Sequence, residues 1–340
     1  MFPKVTVLMP VYNGDHYLKD AILSILNQTF PDFEFLIFND GSTDKSEEII
    51  KGFSDPRIKY FKSRDNQGYL VHLNQGLKIA EGEYIVRMDA DDLSLPNRLE
   101  KQVRFMDERP RLGASGSWAA AIGAKGEIKV ATETNSEMLR CKLFFANQLI
   151  HPSVIMRTSI LRKYGLFYNP AYYYTEDYKM WLDISEYAEL SNIPEVLLKC
   201  HIHSSQVSRL FYPRQVDNSE RIAVQLLSKF KINFSADKVK MHYSLILGGI
   251  EFELRDIESW FLELQRANER LGIYSQQAFL SALAEKWSVI CFRKIKFLHW
   301  LKNSLIGALS IGEKPFFHPK YSFWGALRVV RNYRARKNII

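Results

Sequence analysis

No apolar stretch in this 340-residue chain runs far enough, unbroken by charge, to cross a bilayer as a helix. Cysteine is scarce. Cys141, Cys200 and Cys291 are three, an odd number far apart, which excludes a disulfide framework and a zinc-ligand spacing. They suit a reducing compartment, packed as small apolar residues. The opening Met1-Phe2-Pro3-Lys4-Val5-Thr6-Val7 enters a strand pattern at once and lacks a signal-peptide layout, so a cytoplasmic protein is expected. Glycine-rich nucleotide signatures are missing too. Neither G-x-G-x-x-G after the first strand nor G-x-x-x-x-G-K-[ST] occurs, which argues against a dinucleotide enzyme and a P-loop NTPase. A G-x-S-x-G nucleophile elbow is likewise absent, as are internal repeats and low-complexity linkers.

What is present is an ordinary globular composition, 46% hydrophobic and 25% charged, in a length that allows one large domain and a smaller one. The net charge of +8 is uneven: residues 285–340 hold twelve Lys/Arg against two Asp/Glu. That segment alone carries +10, so the remainder carries −2 and the basic character belongs to the tail.

Val5-Thr6-Val7-Leu8-Met9 is a short apolar run of buried-strand type, stopped by Pro10. Leu18, Ala21, Ile22, Ile25 and Leu26 then recur at helical spacing between Tyr17 and Gln28. Strands over 33–38, 58–61 and 84–88 alternate with helices over 47–50, capped by Ser42 or Thr43, and 70–80. This alternation predicts an α/β fold, a mostly parallel sheet flanked by helices, with the first hundred residues as a nucleotide-binding half. Further helices are expected over 98–108, 139–145, 159–164 and 179–187, and strands over 113–118, 127–131 and from His151 to Arg157. Beyond His203 the pattern is helical, over 220–230, 243–260 and from 276 onward, which puts a domain boundary near 212.

The fourth strand leads into Met88-Asp89-Ala90-Asp91-Asp92. Ionised carboxylates lose several kcal/mol of solvation on burial unless a cation or strong donors replace the water. At a strand end of an α/β sheet they point into the crevice where ligands collect, and a hard divalent cation is their natural partner. An acidic loop with a helix cap is the plain alternative. Pro10-Val11-Tyr12-Asn13 ends strand one, Asn39-Asp40-Gly41-Ser42 ends strand two, and Asn66-Gln67-Gly68 follows strand three. Polar and turn residues thus gather at one sheet edge. These four stretches in order, followed by Glu176-Asp177, resemble the inverting family 2 glycosyltransferases of the GT-A fold, over roughly residues 3 to 210.

The resemblance implies a GT-A catalytic domain over 1–212 and a sugar nucleotide as donor. Pro10, Val11, Tyr12 and Asn13 are then the cradle of the nucleoside, and Asp40 the carboxylate that accepts a base N–H, as uracil would offer. Asn66 and Gly68 shape the neighbouring loop. Asp89, with Ala90 beside it, meets the ribose, and Asp91 binds Mn²⁺ or Mg²⁺ bridging the donor phosphates. Asp92 either supports the site from behind or caps a helix. Asp177 is the expected base for the acceptor hydroxyl and Glu176 its neighbour holding acceptor or shaping the site. An exposed acidic pair capping the next helix is the alternative. His151, in His151-Pro152-Ser153, is on the acceptor side. His201-Ile202-His203 returns a side chain toward metal or diphosphate, with His203 the candidate. Arg98 either pairs with the acidic stretch or caps the following surface, and is left outside the site.

In the region 213–340, Trp287, Ile290, Phe292, Phe297, Leu298 and Trp300 mix with Arg293, Lys294 and Lys296, and Arg328, Arg331, Arg334, Arg336 and Lys337 follow. Aromatics among cations suit an anionic membrane surface, which makes a peripheral position on its cytoplasmic face the expectation. A solvated basic face is the alternative. Nucleic acid is not expected as a partner, because no recognised module accompanies the patch. A UDP-sugar donor and a glycan or lipid-linked acceptor of bacterial-type surface polysaccharide synthesis complete the picture. Its rivals are a nucleotidyltransferase and a silent sugar-nucleotide-binding or membrane-docking module.

Overall fold

The computed structural model describes residues 2–123, 126–202, 212–248 and 251–293. The chain opens with β1 (Val5–Val11), α1 (Asp15–Leu26), β2 (Phe33–Asn39), α2 (Ser46–Lys51), β3 (Ile58–Lys62), α3 (Tyr69–Ile79) and β4 (Tyr84–Arg87). β1 and β2 are buried at every position, which is why they read as continuous apolar runs. α1 buries Leu18, Ala21, Ile22 and Ile25, the face its spacing announced. Leu18, Ile22 and Ile25 are each worth about 1.5–3 kcal/mol of burial.

A three-residue strand, β5 (Asp92–Ser94), follows the acidic stretch, then α4 (Arg98–Asp107), β6 (Leu112–Gly123), β7 (Gly126–Val130) and α5 (Ser136–Leu143). Residues 151–153 form a 3-10 turn where a strand was expected to begin; β8 is Ile155–Arg157. α6 (Thr158–Lys163) and α7 (Glu176–Ile184) precede β9 (Glu189–His201). The sheet order is β3-β2-β1-β4-β8-β6-β9-β5, with β7 on β6. β3, β2, β1 and β4 are mutually parallel, as are β6 and β9, while β8, β7 and β5 run against their neighbours.

The long β9 escaped the sequence reading. Its register against β6 jumps from Ser117↔Ile193 to Trp118↔Val196, so Pro194 and Glu195 bulge out of the ladder. A bulge is where a strand tolerates proline, and it breaks the pattern that reveals strands.

The described residues divide into two compact units, 2–134 with 149–202, and 135–148 with 212–248 and 251–293. The second is helical: α5, α8 (Tyr212–Ser228), α9 (Ala236–Ile246), α10 (Leu254–Leu271) and α11 (Gln276–Arg293). Its core includes Phe144, Phe230, Trp260, Phe261, Phe279 and Trp287. His242 is buried there and donates its Nε2–H to Phe144 O, 3.0 Å away, and burial drives its pKa down to about 3, so the ring is neutral. The single helix expected over 243–260 is two: Gly248, at φ +75, lies past the end of α9. Trp287 and Ile290, enlisted above for a membrane-facing surface, are buried instead. The rest of that basic, aromatic stretch, 294–340, lies outside the described residues. Among the described residues no helix is long and apolar enough to cross a membrane.

Candidate active site

Parallel pairing brings the candidate loops to one edge. Val11 faces Asn39, and Leu8 faces Arg87, so β1, β2 and β4 deliver Tyr12, Asp40 and Met88 to the same end of the sheet. The first turn is stapled to the second. Asn13, at φ +49, takes the Thr43 N–H on its Oδ1 at 2.9 Å, and its own N–H donates to Ser42 Oγ at 3.0 Å. Gly14 N–H donates to Ser46 Oγ, and Asp15 N–H to Asp44 Oδ2. Ser42 and Thr43 therefore serve the first loop rather than capping α2; Asp44 Oδ1 takes the Ser46 N–H at its start. Tyr12 remains half exposed at the rim.

Asp40 is buried, and its carboxylate organises the third loop. Oδ1 accepts the Gln67 N–H at 2.7 Å and faces His72 Nε2 at 2.7 Å, while Oδ2 accepts the Gly68 N–H at 2.8 Å. Asn66 is exposed. Two glycines make this packing possible. A Cβ on Gly41, at φ +68, would stand 2.7 Å from the Asp65 carbonyl carbon, and one on Gly68, at φ +90, 2.6 Å from Tyr173 Oη.

Asp89, Asp91 and Asp92 each offer a carboxylate oxygen, and these atoms lie within 4.8 Å of one another. Burial, compounded by Asp89 and Asp91, pushes the Asp92 carboxyl well above the usual carboxylate range. Burial also raises Asp89, against the pull of the Arg87 guanidinium, which is paired with it. Two buried carboxylates whose charged forms are disfavoured by burial and crowding, with the Asp91 carboxylate beside them, match what a hard cation relieves. All-oxygen donors suit Mg²⁺ or Mn²⁺. Ala90 is half-buried against the core.

Beneath the cluster lies Arg98, fully buried. Its Nη2 donates to Arg87 O and Pro152 O at 2.8 Å each, Nη1 to Ser94 Oγ at 3.0 Å, and Nε to Gln102 Oε1 at 3.1 Å. Arg98 thus neither caps a surface nor pairs directly with a carboxylate; it ties the acidic loop to α4 and the 151–153 turn. Pattern reading passed over Arg87, and it left Arg98 outside the site. The local signal was an arginine on each flank of a tri-acidic stretch.

Asp92 faces Cys200 in the β5–β9 ladder, so β9 ends beside the acidic loop. His201 Nδ1 lies 2.5 Å from Asp91 O, and its ring stacks on Tyr17 with centroids 4.6 Å apart. His201 is accordingly the histidine that the described residues bring to the cluster; His203 lies outside them.

α7 begins at Glu176, three residues earlier than expected, so Glu176 and Asp177 occupy its first turn, where the helix dipole favours negative charge. Asp177 is half-buried. Glu176 is buried, its Oε1 accepts the Tyr69 O–H at 2.9 Å, and Oε2 is buried without a hydrogen-bond partner among the described residues. Burial and the adjacent Asp177 charge raise its pKa to about 7. Tyr168 is fully buried, within electrostatic reach of Arg87 and Asp89 and also of Asp177 and Glu176. It links the two acidic clusters in space. Its hydroxyl meets His151 Nε2 at 2.9 Å, and Asn74 clamps its backbone N–H and C=O. Burial and Arg87 hold His151 well below the usual imidazole range, so it is a neutral partner in this packing. Trp181, on the same helix, is core.

The family model described as glycosyl transferase family 2 matches residues 6–167. An uncharacterized glycosyltransferase of Haemophilus influenzae is 34% identical over 235 residues, 65% of this chain and 72% of that protein. Among solved structures, S. aureus TarS 1-349 in complex with UDP-GlcNAc is similar over 98% of this chain and 92% of its own, with a TM-score of 0.58 at 18% identity. The mannosyltransferase PcManGT from Pyrobaculum calidifontis, in complex with GDP-Man and Mn²⁺, is similar over 100% of this chain and 88% of its own, with a TM-score of 0.50 at 15% identity. At those identities the two structures speak for the fold alone.

Proposed function

The chain belongs to glycosyl transferase family 2, a sugar transferase of GT-A-type fold, and on that premise we propose an inverting, metal-dependent transfer from a nucleoside-diphosphate sugar to a hydroxyl of a glycan or lipid-linked acceptor. One observation carries the reading: a three-carboxylate cluster at the end of β4 shares a sheet edge with Asp40, and Tyr168 lies within electrostatic reach of both Asp89 and a second acidic pair at the start of α7. The first suits the donor and the second the acceptor.

In this reading the nucleoside lies along residues 10–13, with its base toward Asp40 and its ribose toward Asp89. Asp40 Oδ2, which accepts one N–H, has a second lone pair for a base N–H. Uridine is the preferred base; TarS binds UDP-GlcNAc, whereas PcManGT binds GDP-Man, and both support a nucleotide-sugar donor. Asp91, with Asp89 and Asp92 beside it, would hold the divalent ion, which when bound supplies positive charge against the leaving diphosphate. Asp177 accepts the acceptor hydroxyl proton as that oxygen bonds to the anomeric carbon from the face opposite the phosphate. The carbon–oxygen bond to the diphosphate breaks, and its electron pair leaves with the diphosphate. Bacterial-type surface polysaccharide synthesis is the setting that suits such an acceptor, and the basic segment 294–340 suits an anionic membrane surface.

The test is nucleoside-diphosphate release from a panel of UDP- and GDP-sugars with Mn²⁺, with EDTA, and in Asp91→Asn. Slow donor hydrolysis serves as readout when no acceptor is supplied. Release that requires metal and is lost in the variant is the expected result. Failure to bind any sugar nucleotide, with or without metal, refutes the donor site.

A further inference from the structure

Glu176 is held by a residue that no acidic motif includes. Tyr69, the first residue of α3, donates its hydroxyl to Glu176 Oε1 at 2.9 Å, across 107 positions of sequence. The backbone leading into Tyr69 is fixed on both sides. The N–H groups of Gln67 and Gly68 are held by Asp40, and Gly68 at φ +90 leaves no room for a Cβ against Tyr173 Oη. The Tyr69 ring packs on Tyr173, with centroids 5.1 Å apart, and Tyr174, at φ +75, adds a strained backbone two residues before Glu176. A continuous path therefore runs from Asp40 through Gly68 and Tyr69 to Glu176.

We propose that Tyr69 is a positioning residue: its hydroxyl fixes the Glu176 carboxyl, and with it the first turn of α7 that carries Asp177, against a loop anchored on Asp40. This rests on the reading of Glu176 and Asp177 as the acceptor-activating pair. Tyr69 does not touch the reacting atoms. It acts by leaving Glu176 one oxygen committed and the other uncommitted, so the carboxyl presents a single orientation to the neighbouring Asp177. Because the phenol donates, it favours the charged carboxylate and opposes the burial and the Asp177 charge that favour the neutral form.

The experiment is Tyr69→Phe in the full chain, which keeps the ring and its packing and removes the donor. Glu176 is followed by carboxyl-¹³C labelling and a pH titration, with Glu176→Gln identifying its signal. Its midpoint, near 7 in the wild type, is expected to rise by about one to two pH units. The pH profile of nucleoside-diphosphate release, measured with whichever UDP- or GDP-sugar the wild type turns over, is expected to move by the same amount. Tyr69→3-fluorotyrosine, a stronger donor, shifts both in the opposite direction and serves if Tyr69→Phe does not fold. An unmoved midpoint overturns the proposal. A midpoint that moves while the rate profile stays put overturns the positioning role. A wild type that binds no sugar nucleotide refutes the underlying reading, and the role of Tyr69 in transfer falls with it.

Discussion

Replacing Arg98 by Met keeps most of the stem volume and strips every donor from a fully buried position. The side chain spends two N–H groups on Arg87 O and Pro152 O and others on Ser94 and Gln102. Each of the two buried carbonyls left without this donor costs about 1–3 kcal/mol. Asp92, which shares the buried field of Arg98, loses a favourable cation at the same time. The two carbonyls together set the expected loss at about 4 kcal/mol. In thermal unfolding followed by tryptophan fluorescence this is a drop of roughly 10 °C for a unit of this size. Arg98→Lys recovers only part of it, because one ammonium cannot span both carbonyls and the serine. A loss under about 1 kcal/mol for Arg98→Met would refute the reasoning; it would mean that water satisfies these carbonyls and that the acidic loop needs no buried cation beneath it.

Glu176, with a folded pKa near 7 above its ordinary value of 4.5, binds its proton more tightly in the folded protein, so stability is fullest below that ordinary value and falls as pH rises through 7. Relative to Glu176→Gln, the wild type should lose about 3 kcal/mol between pH 4 and pH 8 in urea titrations; parallel stability curves would contradict it. Gly76→Ala in α3 should destabilise by about 1–3 kcal/mol although alanine favours helices, because its Cβ would sit 2.3 Å from Cδ1 of fully buried Leu8; a raised melting temperature would refute the clash. Gly68→Ala, which meets both a positive φ and Tyr173, should cost about 1–3 kcal/mol and lower donor turnover, checked by melting and by diphosphate release.

The N-terminal half was legible because β1, β2 and β4 are buried on both faces and so spell themselves as apolar runs, as in Val5–Val11 and Phe33–Asn39. The acidic cluster was legible because all three of its carboxylates are close in sequence. Legibility failed where structure depends on distant pairing. β9 carries Pro194 and Glu195 on a bulge whose partner strand is some 75 residues earlier, so nothing local reveals it. Tyr69 and Glu176 carry no common pattern, and their hydrogen bond follows only from how α3 and α7 meet. Arg98 looks like any arginine early in a helix; its burial is a property of the elements around it.

The strand β5 that carries Asp92 does not pair with the strand it follows but with β9, whose residues come about a hundred positions later. During synthesis the βα units of the first hundred residues can form as they leave the ribosome, since their partners are near in the chain. The acidic loop cannot. Until Lys199 and Cys200 have emerged, Asp92–Ser94 has no ladder to join, and the three carboxylates stay in water, with Asp91 not yet met by His201. Assembly of the acidic cluster is thereby deferred until nearly all of this unit has been translated. A nascent chain shorter than this holds the parallel half of the sheet yet not the finished acidic loop.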